Sequence, residues 1–274
     1  MDYQSYKGIT VTDVSSDLDR SLESLERLGY FIVPDVFEPE RLDDLRGRMD
    51  AIWQKQQARY GSELLQQIGD FGVLRGMMCD DPVFFDLLTH PIIAEHVAAT
   101  VGDTAILHLQ NGILLFPSKG HNQGRYHRDF PKDFIPSRIL SFNSFIAVDE
   151  FTDENGGTWI VPGSHRVIEM PSQDFIAANE IQLTCPAGSI VFFDSMLWHR
   201  GGWNQTEHTR RAINQQFTRP FIKQQLDYPV MLGDKVPMES KLAQTLGMWS
   251  IPPKSVDQYR VSDPALRTYR GGQG

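Results

Sequence analysis

The chain has 274 residues, 41% of them hydrophobic and 22% charged, with 26 Lys and Arg against 35 Asp and Glu for a formal net charge of −9. That balance supplies enough apolar side chains for a sizeable core and argues against non-specific binding to nucleic acid or to an acidic membrane surface. The only cysteines, Cys79 and Cys185, are too few for a disulfide framework and read as thiols in a reducing compartment.

The first residues carry neither the basic nor the apolar region of a secretion signal, and no apolar run approaches the roughly 18 residues of a membrane span, so a cytoplasmic protein is expected. Leu18, Leu22, Leu25 and Leu28 recur at helical spacing, and Gly29 can end that helix. Tyr30 to Val33 reads as a short strand closed by Pro34. Pro39 sits where the first turn of a helix tolerates proline, and Leu42, Leu45, Met49 and Ile52 continue from it as an apolar stripe. Residues 83–101 predict another helix, broken or kinked at Pro91. From about residue 105 the pattern changes to short strand-like segments: Ile106–Phe116, Arg138–Val148, Thr158–Val161, Ile181–Thr184, Ser189–Phe193 and Arg211–Phe217. Gly, Pro and Asn clusters separate them, which favours a sandwich or barrel. The remainder, rich in Pro, Gly and charge, predicts one helix near residues 238–246 and otherwise loop.

Chemistry concentrates in two places. Arg-Tyr-His-Arg-Asp-Phe (125–130) places His127 and Asp129 at i and i+2, which on a strand face the same side. Leu-Trp-His-Arg-Gly-Gly (197–202) adds His199, 72 residues after His127. Two imidazoles and one carboxylate on one face of a metal leave the opposite positions open, the ligand pattern of non-haem Fe(II) oxygenases. Arg210 follows His199 by eleven residues. A guanidinium there suits the far carboxylate of a keto acid, because its planar fork matches a carboxylate bidentately.

With these residues the sequence resembles the phytanoyl-CoA dioxygenase family of Fe(II)/2-oxoglutarate oxygenases. The matching pieces run in family order over roughly residues 20–220. They are Leu-Gly-Tyr-Phe-Ile-Val-Pro-Asp-Val-Phe (28–37), Pro-Glu-Arg-Leu (39–42), His-Pro-Ile-Ile (90–93), Val-Gly-Asp (101–103), the His-Arg-Asp segment, Glu-Asn-Gly-Gly-Thr-Trp-Ile-Val-Pro-Gly-Ser-His (154–165), Ala-Gly-Ser-Ile-Val-Phe-Phe-Asp (187–194), His199 and Arg210. The resemblance implies one oxygenase domain over 1–274, mainly β with flanking helices. A helical cover spans about 15–104, a double-stranded β-helix (jelly-roll) core about 105–222, and a tail of unassigned role 223–274. It implies Fe(II) held by His127, Asp129 and His199, with 2-oxoglutarate and O2 as cosubstrates, and Arg210 on the 2-oxoglutarate carboxylate. The family offset from His199 selects Arg210 over Arg211 and His199 over His208. The resemblance further implies an aromatic cover for the cosubstrate from Phe145 and brings in Gln110 or Asn111 as an amide for the substrate, while Thr158, directly after the Gly-Gly turn, can face the cosubstrate. Each has a plain alternative as a core or strand residue.

Phe130, Phe134, Trp159 and Trp203 can line an apolar pocket wall. Arg125, Arg128, Lys132 and Arg138 crowd the metal segment, which fits an anionic substrate or simply a solvated basic face. The intact carboxylate at Asp129 favours hydroxylation over halogenation. The reading is therefore an oxygenase that hydroxylates or otherwise oxidises a C–H bond of a small molecule, a specialised metabolite or amino-acid-like compound, with succinate as co-product. Two others stand beside it: a hydrolase or isomerase using the same ligands with another metal such as zinc, and a non-catalytic binding protein that has kept the fold.

Overall fold

The computed structural model describes residues 2–6, 9–120, 123–130 and 133–260. Helix α1 (Asp17–Leu28) follows the hairpin of β1 (Asp2–Tyr6) and β2 (Ile9–Asp13), and its start is fixed by the Ser16 hydroxyl accepting from the Asp19 amide. Gly29 ends it with φ +85°, a left-handed turn that leads directly into β3 (Tyr30–Val33). Helix α2 (Pro39–Tyr60) buries the expected stripe Leu42, Leu45, Met49 and Ile52. After it come α3 (Ser62–Gln67), β4 (Val73–Arg75) and α4 (Met77–Asp80). The 83–101 segment is two pieces, a 3-10 helix Pro82–Thr89 and α5 (Pro91–Thr100), because Pro91 breaks rather than bends it.

The remaining chain carries most of the strands: β5 (Ile106–Leu115), β6 (Lys119–Gly120), β7 (Ser141–Ala147), β8 (Trp159–Ile160), β9 (Ile181–Gln182), β10 (Ile190–Asp194), β11 (His199–Arg200), β12 (Trp203–Asn204) and β13 (Arg210–Thr218). Helix α6 (Gln173–Asn179) lies between β8 and β9, and α7 (Tyr228–Leu232) and α8 (Lys241–Thr245) follow β13. The main sheet has six antiparallel strands in the order β3-β10-β7-β13-β5-β4. A smaller sheet, β11-β8-β9, and the pair β12-β6 complete the β structure beyond the N-terminal hairpin.

Both faces of the main sheet are buried, so its strands read as nearly continuous apolar runs. On one face Phe142, Ile146, Ile190, Phe192 and Ile213 pack against the helices. On the other, Phe145, Ala147, Val191, Phe193 and Ala212 pack against Ile160, Leu183, Cys185 and Leu197 of the smaller sheet and its loops. Two sheets closing on that second core form the jelly roll, with the helices layered on the outside.

Two boundaries differ from the sequence reading. Strands β3 and β4, from the stretch read as helical cover, form the two edges of the main sheet. The segment after residue 223 joins the helical core: Tyr228, Leu232, Val236, Ala243, Leu246 and Met248 are all buried there. The Tyr228 hydroxyl accepts from the Gln110 amide of β5. The part of the tail beyond residue 260 lies outside the described residues.

Candidate metal and cosubstrate site

His127 and His199 face each other across an isolated antiparallel bridge, each backbone N–H donating to the other's carbonyl at 2.9 and 3.1 Å. Their rings stand side by side, centroids 4.3 Å apart. The Asp129 amide donates to the Ser195 carbonyl, which holds this extended segment beside the end of β10. Asp129 Oδ1 then lies 3.7 Å from Nε2 of each imidazole, and the three ligand atoms fall within 4.8 Å of one another. One first-row cation can bridge such separations.

Ring orientation supports the same reading. His127 Nδ1 lies 2.9 Å from the Arg125 carbonyl, and His199 Nδ1 lies 2.8 Å from the Leu197 carbonyl. A carbonyl only accepts, so each Nδ1 carries the proton and each Nε2 presents its lone pair toward Asp129. The carboxylate is oriented too. Asn143 Nδ2 donates to Asp129 Oδ2 at 2.8 Å and to Asn214 Oδ1 at 3.1 Å. Its own carbonyl oxygen accepts from the Ser195 hydroxyl. Ser195 continues to Ser141, which accepts from Gln216. This chain fixes the outer carboxylate oxygen and leaves Oδ1 turned toward the two imidazoles.

Arg210 enters the same pocket from the start of β13, only 4% exposed. Its Nη2 donates to the Gly156 carbonyl at 2.9 Å, and its guanidinium stacks over the Phe151 ring at 4.6 Å. Nε and Nη1 are buried without a partner among the described residues. Burial pushes the Arg210 pKa down to about 10, against the pull of Asp149, so the group is still cationic at neutral pH. A buried cation with two unused N–H groups is costly unless an anion completes it. A carboxylate does so with the right planar geometry. The Asn-Gly-Gly block explains the approach: a Cβ on Gly157 would sit 2.3 Å from the Leu183 carbonyl, so only glycine lets these backbones meet beside Arg210. Phe145 and Thr158 line the same pocket as Arg210 and the metal cluster.

The sequence profile of the phytanoyl-CoA dioxygenase family matches residues 25–212. The chain belongs to the phytanoyl-CoA dioxygenase family. A functionally uncharacterised protein of Mycobacterium tuberculosis is 40% identical over 267 residues, spanning 95% of this chain and 97% of its own. Dioxygenase trt7 of Aspergillus terreus is 32% identical over 215 residues, 71% of each chain. The crystal structure of EctD from S. alaskensis with 2-oxoglutarate and 5-hydroxyectoine shares the fold at TM-score 0.62 and 18% identity, over 73% of this chain and 75% of that one. The chain is an Fe(II)/2-oxoglutarate-dependent oxygenase, a dioxygenase of the 2-oxoglutarate class.

Within this family member the other residues singled out by sequence divide sharply. Gln110 does not face the site. It is fully buried on the opposite side of β5, donating through Nε2 to the Phe84 carbonyl under the helices. Strand parity instead turns Asn111, paired with Asn214, to the metal side, where its Oδ1 is buried without a partner among the described residues. Arg125 is exposed and contributes its carbonyl, not its charge. Trp203 is 56% exposed on β12 and lines no part of this pocket. Phe130 also stays out of the lining, its amide tied to the Ser195 carbonyl. The basic cluster disperses as well. Arg128 is buried facing away, donating to the Ile168 and Ser164 carbonyls, Arg138 is solvent-exposed, and Lys132 lies outside the described residues. His165 caps the α1 end through the Glu26 carbonyl, and His208 is exposed. The sequence reading missed Asn143, Ser195 and Asn214. Counting by twos from Phe145 and from Arg210 reaches the first and last of these. Nothing local marks Ser195.

Proposed function

We propose that the protein oxidises a C–H bond of a small molecule, with His127, Asp129 and His199 holding Fe(II) and Arg210 holding the far carboxylate of 2-oxoglutarate. The observation that carries this reading is the buried, half-satisfied guanidinium of Arg210 in the same pocket as the three converging ligand atoms. Iron and 2-oxoglutarate together supply the reductive activation of O2, coupled to oxidative decarboxylation to succinate and CO2. The protein's own residues orient and exclude. His127 and His199 present fixed lone pairs. Asn143 holds Asp129 in one rotamer. Phe145, Thr158 and Ile113 wall the cosubstrate from water. The intact carboxylate of Asp129 favours hydroxylation over halogenation. A zinc hydrolase has no use for a carboxylate clamp, which counts against that reading.

The substrate reading is a specialised metabolite. Packing of the segment around Tyr228 into the helical core supports one catalytic unit over the whole chain. Acidic charge and two unpaired thiols fit a cytoplasmic setting where iron stays reduced, and no helix among the described residues is long and apolar enough to cross a membrane.

Titration of 2-oxoglutarate into Arg210→Ala and Arg211→Ala tests the clamp. Loss of charge-assisted bonds predicts roughly 10- to 150-fold weaker binding in Arg210→Ala. Arg211→Ala should bind as wild type, because Arg211 points the other way into Asp50 and Asp149. The reverse order would place the register of β13 wrong by one residue.

A further inference from the structure

Strand alternation gives the two metal segments a second face. His127, Asp129 and His199 turn toward the metal cluster, so their neighbours Tyr126, Arg128, Trp198 and Arg200 turn to the opposite side. His127 and His199 form an antiparallel pair that exchanges both backbone bonds. The flanking residues are therefore opposite one another as well, Arg128 against Trp198 and Tyr126 against Arg200. These are the closely spaced, non-hydrogen-bonded positions of an antiparallel pair, where side chains meet best.

Both pairs set a cation on an aromatic ring. The Arg128 guanidinium lies 4.6 Å from the centre of the Trp198 ring, and the Arg200 guanidinium lies 5.3 Å from that of Tyr126. Each pair is anchored further. Arg128 is 3% exposed and donates to the Ile168 and Ser164 carbonyls. The Ser164 hydroxyl accepts from the Trp198 amide, and the Trp198 carbonyl accepts from the Val161 amide. The turn at 161–164 thus holds both members of the first pair. In the second, Arg200 also covers the ring of Trp159, its partner across β11 and β8, at 4.7 Å. Arg200 and the Tyr126 hydroxyl both donate to Glu180 Oε2.

The backbone alone holds this register weakly. Among the described residues the His127–His199 bridge is isolated, with no ladder on either side, and one further backbone bond joins the segments, from the Gly201 amide to the Gln123 carbonyl. A slip of one residue would turn His127 to the wrong face. A splay would part the two Nε2 atoms, each 3.7 Å from Asp129 Oδ1. We propose that Arg128 with Trp198, and Tyr126 with Arg200, are positioning residues for the metal: two cation–aromatic pairs behind the ligands lock the register that sets His127 opposite His199. This rests on the metal reading above and extends it. Asn143 orients one ligand, whereas these pairs fix the spacing between two. Arg128 with Trp198 contributes more, because it is the buried pair and a cation–π contact strengthens when desolvated.

Two measurements on the full chain test this. In the metal-free protein, amide hydrogen exchange reads the bridge itself. Relative to the amides of β13, those of His127 and His199 should exchange at least about tenfold faster in Arg128→Met and in Trp198→Leu. Trp198→Phe keeps an aromatic face and should fall between wild type and Trp198→Leu. In calorimetry with Fe(II) alone, Arg128→Met should bind about 10- to 100-fold more weakly, and Co(II) in its place should give visible bands shifted from those of wild type. Trp53→Leu, which opens a cavity in the helical core under α2, is the control for lost stability. It should lower the urea midpoint and leave both the bridge amides and Fe(II) affinity as in wild type. Wild-type exchange at the bridge in Arg128→Met and Trp198→Leu, unchanged Fe(II) affinity in Arg128→Met, or an equal loss of affinity in Trp53→Leu would each overturn the proposal. A wild type that binds no Fe(II) is a separate result: it overturns the metal reading, while the exchange experiment still judges the pairing.

Discussion

Arg210 and Arg211 are chain neighbours with opposite environments, and the difference is one of strand parity. Arg211 reaches outward to Asp50 and Asp149 and is fully engaged; Arg210 turns inward with two N–H groups unused. The same parity separates Asn111 from Gln110 and makes Asn143 the partner of Asp129. Asn143 tests how far orientation of the carboxylate matters. Removing a group that orients a metal ligand costs roughly 10- to 100-fold in metal affinity, so Asn143→Ala should weaken Fe(II) binding by that amount in calorimetry while the protein stays folded. Unchanged Fe(II) affinity would show that Asp129 needs no such support. The ligand types were readable from sequence, because His-x-Asp is local and strand spacing alone aligns it. The Asn143–Ser195–Ser141–Gln216 chain was not, since it draws on two strands, β7 and β13, and the turn after β10, and has no local pattern.

At the scale of elements, the corner between α1 and β3 shows why some boundaries were legible. Leucine spacing marked the helix, and Gly29 marked its end. The structure adds that the corner is crowded: a Cβ on Gly29 would lie 2.6 Å from His165 Nδ1 and 2.8 Å from Leu197 Cδ1. Leu197 is the residue whose carbonyl orients His199. Gly29→Ala should therefore cost about 1–3 kcal/mol from the left-handed backbone alone, with added loss from these contacts, seen as a lower midpoint in urea. A wild-type midpoint would contradict the crowding. Strands β8, β9, β11 and β12 are two residues each. Alternation needs four or more residues to register, so β8 and β9 were read only as short strand-like segments, Thr158–Val161 and Ile181–Thr184, and β11 and β12 were not read as strands. The six-stranded sheet read as apolar runs for a different reason: it is covered on both faces, which erases alternation.

The whole molecule is built around that twice-covered sheet, and Asp194 reports its cost. It ends β10 buried, and burial raises its pKa to about 6 despite the Met196 amide and nearby Arg128. The folded state thus holds the proton more tightly than the unfolded chain. The contribution of Asp194 to stability is therefore fully present below about pH 4, near the ordinary carboxylate value, and is lost as pH rises through 6. Asp194→Asn keeps an acceptor for the Met196 amide and removes the titration. It should flatten stability between those values and add up to about 3 kcal/mol at pH 7. An unchanged pH profile in urea unfolding would dismiss Asp194 as its source. The tail was the least legible part of the molecule. Its apolar residues, from Tyr228 to Met248, fill gaps between helices instead of following a periodic face, so the sequence suggested only one helix near residues 238–246, where α8 lies, and otherwise loop. The central claim remains that His127, Asp129 and His199 hold iron beside a 2-oxoglutarate clamp. Its most direct test is anaerobic titration of Fe(II) and 2-oxoglutarate, watched for the weak visible charge-transfer band of the chelate. The band should form in wild type and be lost in His199→Ala. No band in folded, iron-supplied wild type, or a band that survives in His199→Ala, would contradict it.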